Sequence, residues 1–243
     1  MVNMHTPIDE PRRRGRPPGR TADREAAKRR LYQAAVAVIA ERGYEAATVR
    51  EVGSRAGVSS AALYRYFPSK RAVALALYEE LSDRFAIAAT TLPAGKWRER
   101  FITALELSLG VLAPHRIALR AVAPVLVGSP DEGVFSERTL FSRIRVQGVF
   151  ERAVADATDA PAPALAAALG RVCYLAHLAL VLCWLLDRSQ AQRATAALVA
   201  LVRHTLPSAG LALRLRAVRG LVLAADALLA EALFDEGAHE AAL

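Results

Sequence analysis

Cysteine is scarce: Cys173 and Cys183 are the only two. If they share one helix they lie about 15 Å apart along it, beyond disulfide reach, so a reduced cytoplasmic setting is expected. Sequence patterns for catalysis are missing as well. There is no glycine-rich phosphate loop, no HExxH, no Cys/His metal spacing and no nucleophile elbow, and the five histidines are scattered singly. An enzyme is therefore not expected, nor is a cofactor or a metal. The N-terminus has no apolar core of the kind a signal peptide needs. The longest apolar run, from Val172 to Leu186, is interrupted by His177 and falls short of the roughly 20 residues that span a bilayer. It reads as a deeply buried helix rather than a membrane anchor.

What is present is an apolar and unevenly charged chain. Apolar residues make up 53% of it, enough for a substantial core, and the formal charge is +8. Residues 1–70 hold 14 Lys and Arg against seven Asp and Glu, whereas the remainder holds 18 against 17. A basic head that meets a polyanion and a nearly neutral body fit that division. The first 20 residues, ending in PRRRGRPPGR, have too little apolar surface to offset ordering entropy and read as a flexible basic arm.

Helical periodicity begins at about Thr21, with Leu31, Ala35, Val38 and Ile39 on one stripe until Gly43 stops it. Thr48 is placed to cap a second short helix reaching Arg55 or Ala56, and Ala56-Gly57-Val58-Ser59 forms a tight turn into a third. Pro68 ends that helix and Ser69 caps a fourth. Three short helices, the last two joined by a glycine turn, describe a helix-turn-helix unit. Val58, Leu63 and Phe67 are expected to face inward, leaving small residues at the start of the third helix to enter a major groove about 12 Å wide.

The segment RGYEAATVREVGSRAGVSSAALYRYFPSK resembles the DNA-binding segment of the tetracycline-repressor (TetR) family over roughly residues 24–75. The marks are Gly43-Tyr44, Thr48, Ala56-Gly57-Val58-Ser59, Leu63-Tyr64, Tyr66-Phe67 and Ser69-Lys70. Val49, Gly53 and Ala61 depart from the usual residues. The resemblance implies DNA contacts from Thr48, Arg50, Ser59, Ser60, Ala61, Ala62, Tyr64, Arg65, Tyr66 and Lys70, with Tyr64 and Lys70 clamping phosphates. In the arm, Arg14-Gly15-Arg16-Pro17 is similar to an AT-hook core, in which Arg14 and Arg16 would enter a narrow minor groove.

From Ser69 onward no strand is expected, since β-branched residues are sparse and Ala and Leu dominate. Helices are predicted over 69–91, 95–112, 114–127, 134–158, 161–188, 190–206 and 208–234. The fold class is thus all-α: a basic arm (1–20), a three-helix DNA-binding domain (21–68) and a larger helical body (69–243). The resemblance implies that the body binds a small-molecule effector and dimerises. The near-continuous apolarity of 172–184 and 211–234 agrees with a four-helix interface between two copies. Candidate effector-pocket residues are Trp97, Phe101, Arg120, Phe141, Tyr174 and His177, with Phe135, Trp184 and Arg116 as further possibilities. The implied function is a homodimeric repressor that binds a palindromic operator in the cytoplasm and is released by an effector. An architectural DNA-binding protein without effector is the alternative.

Overall fold

The computed structural model describes residues 19–59, 64–128 and 133–234, and the regular elements among them are all helical. The head contains α1 (Gly19–Arg42), α2 (Val49–Ala56) and a short helical stretch at 64–66, α3. The body contains α4 (Lys70–Ala88), α5 (Trp97–Leu112), α6 (Arg116–Gly128), α7 (Leu140–Ala155), α8 (Pro163–Leu186), α9 (Arg193–Ala212) and α10 (Arg216–Phe234).

Several boundaries differ from those the sequence suggests, among them the start of α10 at Arg216 instead of 208; three have a clear local reason. Helix α7 begins only at Leu140, because Thr139 Oγ1 donates to the Gly133 carbonyl (2.7 Å) and Val134 N–H to that of Leu126 (2.8 Å), which folds 133–139 into turns. The same helix stops at Ala155, because Thr158 N–H donates to Gly95 O and Asp159 Oδ1 accepts from Trp97 N–H, clipping the chain to the start of α5. Helix α9 runs through Pro207 to Ala212 instead of ending before it. Proline removes one bond to the carbonyl four residues back, and here that carbonyl belongs to exposed Arg203, where water can replace the donor.

Two apolar clusters hold the molecule together. The first joins Leu31, Val38 and Ile39 of α1, Val52 of α2 and Phe67 to Val73, Leu77 and Leu81 of α4, Leu119 and Val122 of α6, and Trp184 of α8. The three-helix head therefore does not close a core of its own. The second gathers Phe85, Trp97, Phe101, Leu105, Val146, Phe150, Leu169 and Tyr174 from α4, α5, α7 and α8. Leu31, Leu77, Leu105 and Phe150 are shut off from solvent, and each such burial contributes about 1.5–3 kcal/mol. Helices α7 and α8 make the most extensive pairing, and Gly170 permits it: a Cβ there would lie 2.7 Å from the Glu151 Cα.

The stretches Trp97–Pro124 and Pro163–Leu186 are long and apolar enough to cross a membrane. The first is broken by a 3-10 turn at Ala113–His115, and half of the apolar window in the second is buried against neighbouring helices. Arg171 on α8 makes a two-pronged bond to Asp226 on α10 (2.8 and 2.5 Å). Outside these contacts, Leu182 and Leu186 of α8, Leu201 and Leu211 of α9, and Leu221, Leu223 and Leu228 of α10 remain exposed.

Candidate nucleic-acid interface and apolar cavity

The head is built from local chemistry. Thr48 Oγ1 accepts from Glu51 N–H (3.2 Å) while Glu51 Oε2 accepts from Thr48 N–H (3.1 Å), a reciprocal cap that satisfies two donors at the start of α2. The Thr48 hydroxyl also donates to Glu51 Oε2 (2.9 Å), and this bond, with that from the Thr48 N–H, holds the Glu51 carboxyl below its ordinary range. Gly57 adopts φ +68°, and the N–H groups of Gly57 and Val58 return to the carbonyls of Ser54 and Gly53 (3.3 and 2.9 Å). A side chain at Gly57 would be strained in that left-handed conformation. Arg42–Glu51 (3.5 Å) and Arg55–Glu41 (2.8 Å) tie α1 to α2 at the surface.

After this turn Ser59 is exposed, while Ser60, Ala61 and Ala62, like Arg14 and Arg16, lie outside the described residues. Tyr64 is 51% exposed, Arg65 is exposed with its guanidinium 5.6 Å above the Tyr66 ring, and Phe67 is buried beneath them. Ser69 caps α4 by accepting from Ala72 N–H (3.1 Å). One shallow groove brings Thr48, Tyr64 and Lys70 together with Tyr44, Ser69 and Arg71. Arg50 is exposed on α2 but does not line it. Lys70 has a structural duty that its position in the sequence does not reveal. Its ammonium donates to the carbonyls of Tyr44 (3.0 Å) and Glu45 (2.8 Å) and sits 5.2 Å over the Tyr44 ring, which fixes the α1–α2 loop and leaves one of its three hydrogens for another partner.

In the body, a cavity of about 310 Å³ lies between α4, α5, α6 and α8, with Val134, Phe135 and Val146 also among its walls. Of the six pocket residues suggested by sequence, His177 lines it. The other five are placed elsewhere. Trp97 and Phe101 are buried in the second cluster at the opening turns of α5, and Tyr174 is buried beside Tyr78. Arg120 is exposed, and Phe141 is 80% exposed, because α7 turns Ser142, Arg143, Val146 and Val149 inward instead. Arg116, a further sequence candidate, donates to the carbonyls of Trp184 (2.8 Å) and Asp187 (2.7 Å) and so caps α8 rather than facing the cavity.

Sequence reasoning missed Tyr78, Phe85 and Ser108 as walls. His177 is wholly enclosed: Nε2 lies 2.7 Å from Ser108 Oγ, and the ring stacks on Phe85 (6.0 Å) and tilts against Phe150 (4.7 Å). Burial pushes its pKa down to about 3, keeping it neutral.

Residues 31–77 match the sequence model of the family described as bacterial regulatory proteins, tetR family. The HTH-type transcriptional repressor KstR of Mycobacterium tuberculosis is 44% identical over 80 residues, covering 30% of this chain and 36% of that protein. Its namesake from Mycolicibacterium smegmatis is 48% identical over 52 residues, covering 21% and 25%. The chain thus spans about a third or less of the length of these relatives. Among solved structures, a tetR-family transcriptional regulator from Streptomyces coelicolor is similar in fold, with a TM-score of 0.55, 23% identity and coverage of 86% of this chain and 98% of that one. The regulator FadR from Bacillus subtilis, solved with stearoyl-CoA, gives a TM-score of 0.55 at 16% identity, over 72% and 96%.

Proposed function

Starting from the chain's membership of the TetR family of bacterial regulatory proteins, we propose that it is a transcriptional regulator that binds a palindromic DNA operator as a dimer and is released by a small molecule. Residues 21–68 read the DNA, 1–20 add a basic tether, and 69–243 hold the effector and the partner copy. The observation that carries this reading is the exposed groove in which Thr48, Tyr64 and Lys70 converge beside the glycine turn. A hydroxyl at a helix start, a phenol and an ammonium suit phosphate contacts flanking a groove-bound helix. Action as a repressor is supported by the similarity to the two KstR proteins, which are repressors by name.

Two features support effector control and pairing. Helix α6 walls the cavity with Leu119, Ala123 and Leu126, and also packs against α1 of the head. A ligand that displaces α6 therefore shifts the head directly. Two heads must meet major grooves about 34 Å apart, so a displacement of a few ångströms misregisters one of them. The exposed leucines of α8 and α10 supply the apolar face that a second copy would cover.

Fluorescence anisotropy with the DNA upstream of the protein's own coding region tests this. The expected preference over random DNA is about 10³-fold or more, and Tyr64→Ala, at an exposed site, should weaken binding several-fold without altering the fold. Equal affinity for both DNAs would instead favour an architectural role. An unchanged affinity in the Tyr64 variant would remove the groove from the interface.

A further inference from the structure

We infer that the molecule taken up by the cavity between α4, α5, α6 and α8 is uncharged and largely apolar, and carries a hydrogen-bonding group that pairs with the imidazole of His177. This inference rests on the reading of that cavity as the effector site.

Among the described residues that line the cavity there is no Asp, Glu, Lys or Arg. An ion entering it would lose its hydration without gaining a counter-charge. Four walls carry polar side-chain atoms: Tyr78, Ser82, Ser108 and His177. The Ser82 hydroxyl is committed, donating to Glu79 O (2.7 Å) and accepting from Arg145 (3.0 Å). The Tyr78 phenol lies beside that of Tyr174, and burial pushes its pKa up to about 12, so it stays neutral; its oxygen is buried without a hydrogen-bond partner among the described residues.

The Ser108–His177 pair carries the other open position. Nε2 is occupied by Ser108, whereas Nδ1 is buried without a hydrogen-bond partner among the described residues. The ring is held between Phe85, on which it stacks, and Phe150, against which it tilts. A buried polar atom left unpaired is an exception that a bound group would resolve. If Ser108 donates to Nε2, Nδ1 carries the hydrogen and donates; in the other tautomer it accepts. A hydroxyl on the ligand satisfies either state.

Two cations stand behind the walls, and one of them, Arg143, acts with its charge on the Tyr78 phenol while its buried Nε has no hydrogen-bond partner among the described residues. Arg145 stands behind Ser82 with Asp83 beside it (3.7 Å). Arg143 lies one turn before Val146 on α7, its guanidinium 4.9 Å over the Phe234 ring, and is not a wall of the cavity. A space of about 310 Å³ accommodates roughly ten groups of water size, about 30 Å³ each.

The full chain is titrated with four ten-carbon probes at pH 7.5: 1-decanol, decane, decanoate and decylammonium. Thermal unfolding reports binding and anisotropy reports release of the upstream DNA. Decanol should bind about tenfold more tightly than decane, and at least tenfold more tightly than either ion. In His177→Phe, decanol should fall to the level of decane while decane is unchanged; the four-probe comparison in the unaltered protein stands even if that variant folds poorly. Equal binding of decanol and decane overturns the role of His177. Stronger binding of decanoate, lost in Arg143→Gln, overturns the uncharged ligand but leaves the effector cavity in place. No binding by any probe overturns the inference. If Ala123→Trp, which fills the cavity, also leaves DNA affinity and its response to small molecules unchanged, the effector reading falls with it. Discrimination by His177 without DNA release supports the inference and rejects the effector reading alone.

Discussion

Acidification from pH 7 to pH 5 should destabilise the protein by about 2 kcal/mol through His177 alone. Complete burial depresses the folded pKa of this imidazole to about 3, while in the unfolded chain it returns to about 6.5. Between those values the unfolded state holds a proton that the folded state refuses, so stability is intact above pH 6.5 and falls as pH drops toward 3. At pH 5 the unfolded imidazole lies 1.5 pH units below its pKa, and the linkage relation gives roughly 2 kcal/mol. Carboxylates confuse this window little. Asp187, held low by Thr195 and Ser189, and Glu51, held low by Thr48, lose their stabilisation only as pH falls below their unfolded values near 4. Burial and the Arg84 charge also depress His115, which adds a loss in the same direction, so the measurement must be a difference between proteins. Urea unfolding at both pH values, for the unaltered chain and for His177→Phe, isolates the contribution. Phenylalanine keeps the stacking on Phe85 and Phe150, and the freed Ser108 hydroxyl can turn to the carbonyl one helical turn back. The unaltered protein should lose about 2 kcal/mol more than the variant. Identical losses would refute the description of His177 as a buried, neutral imidazole.

Three further outcomes are expected. Thr48→Ala removes the cap of α2 and should lower stability by about 1 kcal/mol in urea unfolding, with DNA affinity falling as well; no change in stability would contradict the cap geometry. Gly57→Ala places a Cβ at φ +68° and should cost about 1–2 kcal/mol, read as a drop in the thermal midpoint. Leu221→Lys combined with Leu228→Lys, both on the exposed side of α10, should convert a dimer to monomer in analytical ultracentrifugation. A dimer that survives both charges would move the interface elsewhere.

What the sequence made legible was the chemistry that acts within a few residues. Thr48, Gly57 and Ser69 do their work against Glu51, Ser54 and Ala72, so their roles follow from spacing. Likewise the stripe from Leu31 to Ile39 is amphipathic in its own right. The cavity is different, because whether Leu119 or Leu178 faces a void or a neighbour depends on how four helices cross. Trp97, Phe101 and Tyr174 carry the same apolar signal as a wall residue, yet their helices turn them into the second cluster. Phe141 and Ile144 sit on the open side of α7 because Arg143 and Val146 take the inner one. The Lys70 bonds to Tyr44 and Glu45 reach back 26 and 25 residues, a distance over which spacing carries no information. Pro207 misled for the opposite reason: its local rule holds in the absence of compensation, and an exposed surface supplies it.

Because α1 buries Leu31, Val38 and Ile39 against Leu77, Leu119 and Val122, the head proposed to read DNA cannot be exchanged as a cassette cut at residue 68. A hybrid joined there would set a foreign α1 on α4 and α6 side chains shaped for this one. A junction that carries α1, α4 and the facing stripe of α6 as one block would keep the seam between reader and sensor intact. Regulators built with that seam preserved should still answer their inducer, and those built across it should hold DNA or fold, but not respond.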